Sequence, residues 1–247
     1  LSNSVLTAGT NYIAVEIHQA GASSSDISFD LELIGVFGDN LINKGEVWKY
    51  LDDGSDQGTA WTGTGFDDSG WSSGASKLGY GDNQTTVVSF GGDANNKYET
   101  TYFRKSFPVT DVSIYVSLTV NLLRDDGAVV FINGTEVVRD NMPAGTILYT
   151  TFASQRTVDA DEDNYNSISI SPANLVNGTN YIAVEVHQRT LSSSDIGFDI
   201  ELVGVEGNPL PIELRHFEGI AADKGIRLDW ATASEVNNDY FVIQRSQ

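Results

Sequence analysis

Two histidines, His18 and His187, each stand two positions after a glutamate, Glu16 and Glu185. Each is followed by an acidic pair, Asp30 with Glu32 and Asp199 with Glu201. A histidine beside several carboxylates has the makings of an acid–base pair or a metal site. In a strand, a spacing of two puts Glu185 and His187 on one face. The next strand would then set Asp199 and Glu201 across from them. Catalysis would need further parts, and the sequence supplies neither a second histidine in the same stretch nor a G-x-S-x-G nucleophile turn. The plainer expectation is a hydrogen bond on a solvated face that keeps two neighbouring strands in register.

A second group of residues could bind sugar. Trp61 and Trp71 lie in stretches rich in Gly, Ser and Asp, and "GYGDN" adds Tyr80, Asp82 and Asn83. Flat aromatic faces suit the apolar face of a pyranose, and short polar side chains can bond its hydroxyls. The competing expectation is that the two indoles are buried plugs ordering long loops. Trp48, in the strand-like "EVWKYL", reads as core.

A third group could hold a cation. "VDADEDNYN" sets Asp159, Asp161 and Asp163 at alternate positions, followed by Asn164. Alternating carboxylates in a loop can curl around a hard ion, and calcium accepts six to eight oxygens in flexible geometry. The pattern begins like an EF-hand loop, but Asn164 stands where that loop has Gly and Ile170 where it has the bidentate Glu. A structural calcium here must borrow other ligands, and a solvated acidic loop is the alternative. Asp125 and Asp126, before Gly127, read as a turn.

These residues must be positioned by strands. "SIYVSLTVNLL" places Ile114, Val116, Leu118, Val120 and Leu122 at period two. "YIAVEVH" sets Ile182, Val184 and Val186 against Ala183, Glu185 and His187, and "DIGFDIEL" sets Phe198, Ile200 and Leu202 against Asp199 and Glu201. Each reads as a strand with one dry and one wet side. Asn133-Gly134, between apolar runs, predicts a two-residue type I′ hairpin. Loops are expected over 52–83 and 89–100. About eight or nine strands, with little helical periodicity, predict an all-β antiparallel sandwich.

The chain also repeats itself. "TNYIAVEIHQAGASSSDISFDLELIGV" at 10–36 returns at 179–205 with 20 of 27 positions identical and a constant offset of 169 residues. Such an offset is the size of a domain. Residues 1–37 are therefore expected to be the C-terminal strands of a preceding repeat, 41–206 a complete sandwich, and 207–247 a linker with the first strands of a further domain. There Ile226–Trp230 and Tyr240–Arg245 read as strands, with Trp230 and Phe241 facing inward. The net charge is −20, from 34 acidic and 14 basic residues among 247. That field disfavours nucleic acid and anionic membranes as partners. No apolar run approaches the length of a membrane span. With no cysteine, disulfides and thiolate metal sites are excluded.

Taken together, "WKYLDDGSDQGTAWTGTGFDDSGWSSGASKLGYGDN", "TTYFRKSF", "DDGAVVFINGTEVVRDNMPAG" and the repeated phrase resemble a jelly-roll module of the galactose-binding-like superfamily, over about 46–205. Such modules occur in secreted Bacteroidota proteins. "LPIELRHFEGIAADKGIRLDWATASEVNNDYFVIQRS" resembles the start of a fibronectin-type-III-like domain of the kind that precedes a type IX secretion sorting signal. The resemblance implies a jelly-roll β-sandwich located outside the cell or on a bacterial cell surface, and it adds weight to a structural calcium. The expected function is a non-catalytic module of a tandem-repeat protein that binds carbohydrate or adheres to an extracellular surface. The alternatives are a spacer between other domains and an accessory domain of a secreted hydrolase. Expected partners are a glycan or another extracellular surface and the neighbouring tandem domains. No enzyme activity is expected, because few polar clusters combine a nucleophile, a base and an electrophile.

Overall fold

The computed structural model describes residues 38–158, 161–207, 214–222 and 225–232. The expectations for residues 1–37, Asp159, Tyr240–Arg245 and Phe241 lie outside the described residues. Described secondary structure consists of strands and three-residue 3-10 turns. No helix among the described residues is long and apolar enough to cross a membrane.

Two sheets account for the sandwich. The first runs β10 (Asn166–Ile170), β7 (Tyr115–Asp125), β12 (Ile196–Glu206), β4 (Leu78–Tyr80) and β5 (Thr86–Val87). A further strand, β1 (Gly38–Ile42), pairs with the C-terminal half of β12. The second runs β3 (Ser72–Ala75), β2 (Val47–Leu51), β6 (Thr100–Val109), β11 (Gly178–His187), β8 (Gly127–Ile132) and β9 (Thr135–Asp140). Neighbours are antiparallel except β4 and β5. A separate antiparallel hairpin joins β13 (Leu214–Ala222) and β14 (Gly225–Thr232).

The core forms where the two dry faces meet. Ile182, Val184 and Val186 from β11 and Phe198, Ile200 and Leu202 from β12 are all buried there, as the alternation requires. Trp48 is also in this core, edge-on to Phe198 with ring centroids 5.0 Å apart, and Phe103 stacks on Phe198 at 4.3 Å. The Asn133-Gly134 turn has φ of 50° and 87° and joins Ile132 to Thr135 directly, the backbone a type I′ hairpin needs.

Three expectations are corrected. First, β11 and β12 are not paired neighbours: the chain changes sheets between them, so Asp199 and Glu201 do not face His187. Second, the period-two pattern breaks at the start of β7. The register against β12 shifts between Val205 and Glu206, which pairs with Tyr115. An extra residue in a strand flips the faces, so Tyr115 is buried while Val116 is 64% exposed. Third, the stretch 52–83 is not loop throughout, for it contributes β3 and β4. β3 is made of Ser, Gly and Ala, and β4 is only three residues long, too short for its buried Leu78 and Tyr80 to establish a period.

Candidate functional site

The outer face of the second sheet is not wet. Residues 52–71 fold over it, and Trp61 and Trp71 form a second apolar cluster with Tyr102 and Ala183. The two indoles stack at 6.3 Å, and Trp61 meets Tyr102 edge-on at 4.8 Å. They are 1% and 8% exposed. An open stacking platform made of Trp61 and Trp71 is therefore corrected to a buried plug. Burying an indole removes roughly 200 Å² from water, about 5 kcal/mol at 25 cal/mol per Å², which offsets the ordering of a Gly-rich loop. Arg104 fastens the loop from beneath. Its Nη1 donates to the carbonyls of Trp61 and Gly63, and its Nε to Asp68 Oδ2 at 2.9 Å. The guanidinium lies between the rings of Phe66 and Tyr181, 5.3 and 5.2 Å from their centroids.

Beside this plug opens a cleft of about 370 Å³. Its floor is Tyr102, Phe131 and Glu185 from the sheet, and one wall is Asp56, Thr59 and the edge of Trp61. Glu136, Arg139, Leu148 and Tyr149 complete the lining. Arg139 binds both oxygens of Glu136, at 2.8 and 2.7 Å, and donates to the carbonyls of Pro143 and Gly145. The loop between β9 and Tyr149 is thus tied to β9. Tyr149 is partly exposed and Leu148 is 61% exposed. Burial holds the Tyr102 and Tyr149 phenols above the usual tyrosine range, with nearby acids adding to the effect, so both act here as neutral hydrogen-bonding groups.

His187 is fully buried. Its Nδ1 lies 2.7 Å from the Thr151 carbonyl and 3.0 Å from Thr100 Oγ1, whose own proton goes to the Tyr149 carbonyl. Both partners of Nδ1 therefore accept, and Nδ1 carries the proton. Nε2 lies 3.6 Å from Glu185 Oε2. The bond to Thr100, its register partner on β6, is the expected link between neighbouring strands, but the face is buried and not solvated, and the ring also ties the 149–151 loop to β11.

A different concentration of charge sits at one end of the first sheet. Asp82, Glu162 and Asp195 each offer a carboxylate oxygen, and the three lie within 4.8 Å of one another. The strand order explains the convergence. The start of β12 lies between the end of β7 and the end of β4, with Gly197 opposite Asp125 and Ile196 opposite Tyr80. Glu162 comes from the loop that leads into β10, on the far side of β7. Asp125 is buried, and its Oδ2 has no hydrogen-bond partner. Burial first, then the charges of Asp126, Asp195 and Glu162, push the Asp125 carboxyl well above the ordinary range. The Tyr80 phenol rises for the same reasons, burial leading and Asp195 next. Asp126 is spoken for: its oxygens accept the Thr157 and Arg189 amides and the Ser193 hydroxyl. Lys97 lies close by, donating to the Ser193 and Ser194 carbonyls with its Nζ 5.0 Å from the Tyr80 ring.

The residues singled out in the sequence thus fall into two groups. Trp61 and Trp71 belong to the plug, while Tyr80, Asp82 and Asn83 belong to β4 and the loop after it, at the acidic end. Tyr80 is buried in the main core, whereas Asp82 and Asn83 are exposed. Asp161 and Asp163 do not converge. Asp163 is 80% exposed and bonds Lys77 Nζ at 2.7 Å, and Asp161 closes a turn with Asn164. The loop turns its middle acid, Glu162, inward, so counting alternate positions selects the outward-facing ones. Tyr149, Glu185 and Arg139 were missed as cleft residues because they are brought together from three separate segments. Asp125 was missed because Asp-Asp-Gly reads as a turn.

No family model matches the chain, and no curated protein matches it. Solved structures give partial overlaps. The Bacteroides uniformis β-glucuronidase is 18% identical over 70% of this chain and 18% of that one, with a TM-score of 0.44. The uncultured Clostridium sp. β-glucuronidase is 12% identical over 85% of this chain and 36% of that one, at 0.46. A Bacteroides vulgatus β-glycosidase is 18% identical over 80% of this chain and 24% of that one, at 0.38. The chain thus spans well under half of each of these enzymes.

Proposed function

We propose that this chain is a non-catalytic, extracellular β-sandwich module that binds a glycan in the cleft beside the tryptophan plug. The observation that carries this reading is the cleft itself. It combines aromatic walls with hydroxyl, carboxylate and guanidinium groups held in fixed positions. A sugar ring presents an apolar face and a rim of hydroxyls, and such a lining meets both demands. The carboxylates favour binding over hydrolysis. Glycoside cleavage needs two carboxyl groups flanking the bond, one as acid and one as base or nucleophile. Here Glu136 is held at both oxygens by Arg139, Asp56 Oδ1 accepts the Gly58 amide, and Glu185 lies 3.6 Å from the buried His187 Nε2. The net charge of −20 directs the choice of ligand to neutral or cationic glycans.

The test is a glycan array together with affinity electrophoresis on neutral polysaccharides. Wild type should bind at least one neutral glycan. Tyr149→Ala should lower that affinity about tenfold, the effect of losing roughly 1.4 kcal/mol of contact, measured at a temperature where circular dichroism shows the variant still folded. Binding that survives Tyr149→Ala and Glu185→Gln unchanged would sink the cleft as the site.

A further inference from the structure

We propose that Asp82, Asp125, Glu162 and Asp195 form the oxygen cage of a divalent-cation site, with calcium as its ion. This stands independently of the glycan reading. Two observations carry it. Three of these carboxylates already lie within 4.8 Å of one another. The fourth, Asp125, is only 2% exposed and leaves Oδ2 without a partner. Along the sheet order β10, β7, β12, β4, the acids line up as Glu162, Asp125, Asp195, Asp82, each from the matching strand end or the loop beside it. Asp125 stands at the end of β7 opposite Gly197, which is two residues along the chain from Asp195, at the same end of the sheet as the other three.

Four carboxylates drawn together on folding repel one another, and a bound cation turns that repulsion into attraction. The donor chemistry selects the ion. All four ligands are oxygens, and the chain contains no cysteine, which disfavours zinc and the soft metals. The ligands come from four separate segments, giving an irregular cage. Calcium accepts such geometry, whereas magnesium demands near-octahedral packing and keeps its water. Holding the cage would fasten the loop after β4, the β7–β8 junction and the loop before β10 to the start of β12.

The experiment uses the full chain, stripped with chelator and titrated with calcium chloride by calorimetry, alongside thermal unfolding in calcium and in excess chelator. The expected result is one calcium per chain and a melting temperature at least about 5 °C higher with the ion. Asp195→Asn should weaken calcium binding at least tenfold, and magnesium should not substitute for calcium at equal concentration. If Asp195→Asn fails to fold, Asp82→Asn on the exposed loop provides the same comparison. The double variant Asp161→Asn, Asp163→Asn should bind like wild type. The proposal is overturned by absence of heat with identical melting in calcium and chelator. It is overturned equally if the Asp161/Asp163 double variant loses the ion while Asp195→Asn keeps it.

Discussion

His187 is fully buried, and its Nδ1 proton is shared between the Thr151 carbonyl and the Thr100 hydroxyl, so the ring is held at one nitrogen by two segments at once. His187→Ala should cost about 2 kcal/mol of stability, the usual loss when buried polar partners are left unpaired. Urea unfolding measures it. A loss below about 0.5 kcal/mol would mean that the Thr100 and Thr151 bonds do not hold the 149–151 loop. Glu46 offers a second residue-level test. Burial alone would raise its pKa, but hydrogen bonds from Lys105 and from the Asn43 amide and side chain prevail and lower it. The Lys105 contact is 2.8 Å, as is the Asn43 amide contact. A folded-state pKa below the unfolded one gives stability that is present above the unfolded value, near 4.5. That stability is lost as pH falls through the folded value. Glu46→Gln should therefore lower stability at pH 7 by about 1 kcal/mol, as expected for a partly exposed ion pair, and this difference should shrink toward pH 3. Equal destabilisation at both pH values would contradict the assignment. At this scale the sequence was legible for the core and opaque for the sites. Phe198, Val184 and Trp48 announce themselves by period two. Asp125 and Glu162 do not, because nothing local tells which acid of an acidic run turns inward.

Strand identity was readable wherever a strand is long and half-buried, as in β7, β11 and β12. It was unreadable in β3, whose residues are small, and in β4, which is only three residues long. Sheet membership was readable from adjacency only where a tight turn joins the strands, as at Asn133-Gly134 between β8 and β9; β11 and β12, read as neighbours, lie in opposite sheets, because a sandwich commonly sends consecutive strands across the core. This crossing also explains why both polar faces are covered. The outer face of β11 lies under the tryptophan plug. On β12, buried Asp199 accepts the Ser76 hydroxyl at 2.5 Å, the Tyr165 hydroxyl at 2.6 Å and the Gly45 amide at 3.1 Å. The attachment of β4 to β12 depends on closeness that a side chain would prevent. A Cβ on Gly79 would come within 2.0 Å of the Ile196 carbonyl oxygen. Gly79→Ala should therefore push β4 away from β12 and destabilise the module by about 2–3 kcal/mol, an overpacking cost. Amide exchange should quicken at Tyr80 and Ile196. Unchanged protection there would show that the contact yields without loss.

For the whole molecule, the surplus of 20 negative charges and the way the chain enters and leaves the sandwich matter most. The charge predicts negligible retention on heparin at moderate salt. Retention there would reverse the electrostatic reasoning behind a neutral or cationic ligand. Entry and exit are adjacent. β1 opens the sandwich with Gly38 opposite Val205, one residue before β12 ends at Glu206. A tension applied along the chain through these two points pulls antiparallel neighbours apart from their shared open end. The inter-strand bonds then meet the load one after another, as in a zipper, and not together as in a lap joint under shear. Under load β1 should peel away first and at low force, paying out a few residues of slack while the other strands of the sandwich stay closed.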